Sequence, residues 1–152
     1  MSLINCIRKN YHYAIVSGCS DKRCKLNLSD LKNFLVLKGE KLRGYQKISD
    51  CIIFIVKSTV IIGIVELKGK TVHVGDIINK LSNASKIALG ILQRCDPKNK
   101  KYNFYHIVLA EKWHSSAYRV VTTRKIEVRG EKYNIIPKEC GIHFSNIISL
   151  KR

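Results

Sequence analysis

The chain has 152 residues, with 28 Lys and Arg against 11 Asp and Glu, a formal net charge of +17. Hydrophobic residues at 45% and charged residues at 26% exclude wholesale disorder and are read as a single domain over residues 1–152. So large a cationic excess points to a polyanion, nucleic acid first; a membrane-spanning segment is not expected, because Lys57 and Glu66 break the apolar runs.

In chain order, residues 12–16 read as a short strand. Ser29 is placed to cap a helix whose apolar positions Leu31, Phe34, Leu35 and Leu37 suit one face. Residues 38–46 are basic, contain Gly39 and Gly44, and read as a loop. The runs 51–56 and 60–67 are β-branched and nearly apolar on both faces, as expected of central strands covered by helices. Asp76 opens a helix to about Gln93, with Ile77, Leu81, Ala84, Ala88 and Ile91 on one face and Asn79, Ser82, Asn83, Lys86 and Gln93 on the other. Asp96-Pro97 ends it. A strand over 104–110 follows, then a segment around 113–121 that suits neither period, a hairpin pairing 126–128 with 133–136 across "RGEK", and a short helix within 141–150. The expected fold class is α/β, a central mixed sheet flanked by helices.

Six cysteines occur without a CxxC pair and without a secretory signal, so reduced thiols in a cytoplasmic protein are the first reading. Cys19 and Cys24 with His12 resemble half a zinc site that lacks its second half, and disulfides are expected only of a hyperthermophile's intracellular protein. His106 reads as packing within its strand, Trp113 as a core anchor, and His73 as a loop residue within reach of Lys68. Lys22, Arg23 and Lys25, and separately Lys98, Lys100 and Lys101, form basic patches suited either to phosphate contacts or to solvent.

The two central strands carry the chemistry. Their turn, Lys57-Ser58-Thr59, lacks the Gly that a two-residue turn favours, so an odd loop is predicted, pairing Val56 with Val60. That register sets Asp50 opposite Glu66, with Cβ atoms about 5 Å apart on one face. Lys68 shares the face by the period of two, and Leu67 points away. A two-residue turn would set Asp50 against Leu67 and dissolve the cluster. Two carboxylates and an ammonium at one sheet end suit metal-assisted phosphodiester hydrolysis, in which carboxylates hold magnesium and the lysine serves the attacking water. Of the three acid-x-Lys tripeptides, at Asp30, Glu66 and Asp96, only the middle one ends a strand.

"SD" at 49–50, "ELK" at 66–68 on the next strand and the helix after it resemble the central block of the PD-(D/E)xK nuclease superfamily, over about 45 residues. The resemblance implies a restriction-endonuclease-like fold and a Mg2+-dependent endo- or exodeoxyribonuclease, with Mn2+ able to substitute. It makes Asp50, Glu66 and the Leu67 carbonyl the metal ligands and Lys68 the catalytic lysine. Ser49 stands where the motif's name has Pro. Many members add an acid from an N-terminal helix, for which Glu40 and Asp30 are the candidates, and residues of the following helix often reach the site, which points to Lys86 and Gln93. A homodimer is implied as well. A Holliday junction resolvase of the same superfamily is the alternative within the class, and a non-catalytic nucleic-acid-binding protein on the same fold the alternative outside it.

Overall fold

A computed structural model describes residues 1–149 except 43, 45, 71, 73, 97, 99 and 100. His73, Pro97 and Lys100, and the end of the expected C-terminal helix at Leu150, therefore lie outside the described residues.

The centre is the hairpin of β5 (Cys51–Val56) and β6 (Val60–Gly69), buried along almost all its length. Long β-branched runs of this kind are stable only between two covering layers. On one side β5 pairs antiparallel with β4 (Phe34–Lys38), and β4 with the two-residue β1 (Ile15–Val16). On the other side β6 pairs in parallel with β7 (Tyr102–Ala110). The connection is α2 (Val74–Cys95), a helical crossover of the kind that parallel neighbours require. The hairpin of β8 (Lys125–Val128) and β9 (Glu131–Glu139) closes the edge, β9 running parallel to β7. The result is a mixed seven-stranded sheet in the order β1-β4-β5-β6-β7-β9-β8.

One face packs Leu35, Ile52, Phe54, Ile62 and Ile64 against α1 (Leu3–Asn10), α2 and, through Val121, α3 (Ser115–Thr123). The α2 stripe Ile77, Leu81, Ala84, Ala88 and Ile91 is wholly or almost wholly buried there, as its helical period requires. The opposite face packs Val36, Ile53, Ile55, Val65 and Leu67 against α4 (Phe144–Ser149) and a small separate hairpin, β2 (Cys19–Asp21) and β3 (Cys24–Leu26). Phe144 lies over Gly63, where a Cβ would stand 2.7 Å from the ring, so α4 seats because that strand position has no side chain.

Several expectations are corrected. The helix expected after Ser29 is absent: residues 34–38 form β4. Leu31, Phe34, Leu35 and Leu37 satisfy a helical stripe on paper, but Leu35 and Leu37 face one core and Val36 the other, a two-sided burial that pairing with β5 provides and a surface helix does not. The N-terminal helix α1 and the β2–β3 hairpin were not expected. Residues 12–16 split into a 3-10 turn, His12–Ala14, and β1. Asp76 lies inside the first turn of α2, not at its cap. The cysteines are not free: Cys6–Cys95, Cys19–Cys51 and Cys24–Cys140 are disulfides, which leaves no thiol for the zinc site. Among the described residues no helix is long and apolar enough to cross a membrane.

Candidate active site

Val56 pairs with Val60, and the ladder runs back through Ile55–Ile61 to Cys51–Val65. Asp50 stands one residue before β5, and the same register continued by one step places it opposite Glu66. Two contacts fix the Asp50 turn. Its carboxylate Oδ2 accepts from the Leu67 backbone N–H at 2.7 Å, and its carbonyl accepts from the Gly39 N–H at 2.7 Å. Gly39 opens the 3-10 turn Gly39–Lys41 after β4, and a Cβ there would overlap the Ser49 carbonyl. That contact is only open to glycine.

Glu66 is 2% exposed. Its Oε2 lies 3.1 Å from the Lys80 ammonium and 3.6 Å from the Lys68 ammonium. Burial, and after it a hydrogen bond and the charge from Asp50, push the Glu66 carboxyl up to about 8, against the opposing pull of Lys68 and Lys80. Two carboxylates have no hydrogen to share, so the Asp50–Glu66 bond exists only while one of them is protonated. At neutral pH burial and the Asp50 charge therefore favour the protonated form of Glu66. Burial works to lower the Lys80 pKa, but the Glu66 charge outweighs it and the net shift is upward.

The structure thus brings Asp50, Glu66 and Lys68 together with Leu67 between them, and it adds Lys80 from α2. Lys80 carried no motif and sits between the buried Ile77 and Leu81. Its signal was a cation at the rim of the apolar stripe, in the second turn of the helix that follows "ELK". Lys86 and Gln93 are exposed. They stand six and thirteen residues beyond Lys80, which at 100° per residue turns both toward the far side of α2, away from Glu66. Glu40 comes from the 3-10 turn and not from an N-terminal helix. It pairs with Lys38 at 3.0 Å and lines the same cleft as Asp50 and Lys80. Asp30 lies elsewhere, bonded to Ser145 and paired with His143.

His106 is fully buried, with Nε2 2.8 Å from the Ser85 hydroxyl. That hydroxyl donates its one hydrogen to the Leu81 carbonyl, so His106 Nε2 is the donor in their contact and the ring is core packing. Trp113 anchors its segment by donating to the Lys138 carbonyl at 2.9 Å.

Three adjoining clefts cross this end of the sheet. One of about 270 Å³ is lined by Lys47, Lys80, Asp50, Glu40 and Lys38. The next, about 380 Å³, shares Lys38, Glu40 and Asp50 and reaches Asp21. The third, about 400 Å³, shares Asp21 and is lined by Lys22, Arg23, Lys68, Lys70 and Glu111. Cations line all three clefts, with Asp50, Glu40 and Asp21 among them.

Among the described residues no group of three His, Cys, Asp or Glu is arranged to hold a metal ion. Asp50 and Glu66 fit magnesium in the way it is commonly held, by one or two carboxylates with water and substrate oxygens completing the shell. A cation beside Asp50 and Glu66 would relieve the same unfavourable burial and repulsion that raise the Glu66 pKa. No protein-family model, curated protein or solved structure matches the chain.

Proposed function

We propose that this chain is a metal-dependent nuclease of restriction-endonuclease-like fold that hydrolyses phosphodiester bonds of DNA. The observation that carries the reading is the pair of adjacent carboxylates, Asp50 and Glu66, at the end of two central strands with Lys68 beside them. The succession β5, β6, α2 is also the strand, strand and helix of the resembling block. Asp50 and Glu66 would hold Mg2+ or Mn2+, with the Leu67 carbonyl the further ligand that the resemblance implies. When bound, the cation supplies Lewis acidity and a bound water of lowered pKa. Lys68, with 16% of its side chain exposed at the lip of the site, donates to the attacking water or to a phosphate oxygen. Lys80, which meets the same Glu66 oxygen as Lys68, keeps Glu66 from an even higher pKa and so keeps it available as a ligand. The groove and the net charge of +17 provide for the substrate's backbone. A homodimer and an intracellular setting belong to the proposal. Disulfides persist in oxidising compartments and are common inside cells only in hyperthermophiles, so the three here set a condition on that setting.

The net charge of +17 serves equally well a second reading, a nucleic-acid-binding protein without catalysis. Incubation of linear, nicked, single-stranded and four-way-junction DNA with magnesium or with EDTA separates the two. The nuclease cuts in magnesium and stops in EDTA or on Asp50→Ala. A binder leaves every substrate intact while retaining salt-dependent affinity.

A further inference from the structure

The β2–β3 hairpin has three residues in each strand, fewer than an isolated hairpin needs to persist in water. Yet both strands are covalently fixed. Cys19 of β2 is bonded to Cys51, the residue after Asp50, and Cys24 of β3 is bonded to Cys140 just beyond β9. The Gly141 N–H adds a bond to the Lys25 carbonyl at 2.7 Å. The register Asp21–Cys24 leaves Lys22 and Arg23 as the two turn residues. Lys22 has φ +53°, a conformation that suits Gly or Asn and costs a side chain such as Lys about 1–2 kcal/mol. Both tip residues are exposed, and both line the cleft that they share with Lys68 and Lys70. The acids of that cleft are Asp21 and Glu111, so cations outnumber anions four to two on its walls.

We propose that this disulfide-stapled tip is a phosphate-binding subsite of the nucleic-acid groove, in which Lys22 and Arg23 hold a backbone phosphate beside the one presented to Lys68. The inference rests on the nuclease reading for the identity of the ligand. Arg23 offers the planar fork that binds phosphate oxygens in pairs, and Lys22 a mobile point charge. The staples hold the tip in place without substrate, so little order is lost on binding. Because Cys51 adjoins Asp50, the bond from Cys19 ties the base of the hairpin to the carboxylate strand, and Cys24, next to the turn, is tied to Cys140.

The test is equilibrium binding of a labelled oligonucleotide in EDTA across a salt titration, so that no cleavage intrudes. The double variant Lys22→Gly, Arg23→Gln is compared with Lys32→Gln, Lys57→Gln, which removes the same charge from exposed positions at the other end of the sheet. The tip variant is expected to bind at least tenfold more weakly, with the salt slope reduced by about 2. Its melting temperature stays the same or rises, because Gly relieves the positive φ. The control pair is expected to change affinity much less. Unchanged affinity and slope in the tip variant, equal loss in both pairs, or no nucleic-acid binding by the wild type would each overturn the subsite. Cleavage measured in parallel separates the two claims: a wild type that cuts while the tip variant binds normally removes the subsite alone, and a weakened tip variant with no metal-dependent cutting by the wild type removes the nuclease alone.

Discussion

Glu66 carries the sharpest consequences at the scale of single residues. In the folded chain its carboxyl is held at about 8 against an ordinary value of 4.5. Between those pH values the native state keeps a proton that the unfolded chain has released, so stability without metal falls as pH rises across that window. Glu66→Gln removes that dependence. Its thermal melting in EDTA at pH 8 and above is expected to lie several degrees above wild type, while its magnesium-dependent cleavage drops by about a thousandfold or more. A melt no higher than wild type would mean that Glu66 is not under that strain. Lys80 acts through Glu66 as a positioning residue. Lys80→Met is expected to move the alkaline rise of the pH–rate profile up by about one unit, and Lys86→Met to leave it in place. A profile unmoved by Lys80→Met would sever that link. The meeting of Asp50, Glu66 and Lys68 was legible because the glycine-free turn and the strand period of two fix the register that brings them together. Lys80 was not, since a lysine at the rim of an amphipathic helix reads the same whether its ammonium meets solvent or a buried acid.

Among elements, the β5–β6 register was legible from three turn residues without glycine, and α2 from its apolar period. The β4 strand was not, because four consecutive apolar residues suit a helix or a two-sided strand equally, and the partner that decides is β5, itself later in the chain. The disulfides were equally hidden: their partners are 89, 32 and 116 residues apart, and only the fold brings them together. The turn before β5 holds a further test. Gly39→Ala would drive a methyl group into the Ser49 carbonyl and displace the residue that carries Asp50. It is expected to cost about 1–3 kcal/mol in chemical denaturation and to lower cleavage more than twofold. Wild-type stability and activity would show that the turn yields without moving Asp50. Closing loops of 32 to 116 residues is worth about 4–5 kcal/mol per disulfide in the chain-entropy picture. Thiol titration of the unreduced protein in denaturant is accordingly expected to find no free cysteine, and reduction to lower the melting point strongly. Reactive thiols before reduction would count against the pairing.

For the whole molecule, charge and fold meet at one sheet end. A net +17 is visible in composition, but composition cannot say where cations gather. The structure gathers Lys38, Lys47 and Lys80 on one cleft and Lys22, Arg23, Lys68 and Lys70 on another, and the Lys68 and Lys80 ammoniums both meet Glu66 Oε2. The mixed sheet flanked by helices was legible as a class from the order of its elements, while its edges, β1 and the β8–β9 hairpin in parallel contact with β7, depend on long-range pairing. In the proposed site Asp50 and Glu66 hold a divalent cation in exchange for the Glu66 proton. Calorimetric titration of Mn2+ into the protein at pH 7, in two buffers of different ionisation enthalpy, measures both the binding and the proton count. Saturable binding is expected, with close to one proton released per ion and loss of that release in Glu66→Gln. Absence of saturable binding, or a proton count unaffected by Glu66→Gln, would contradict it.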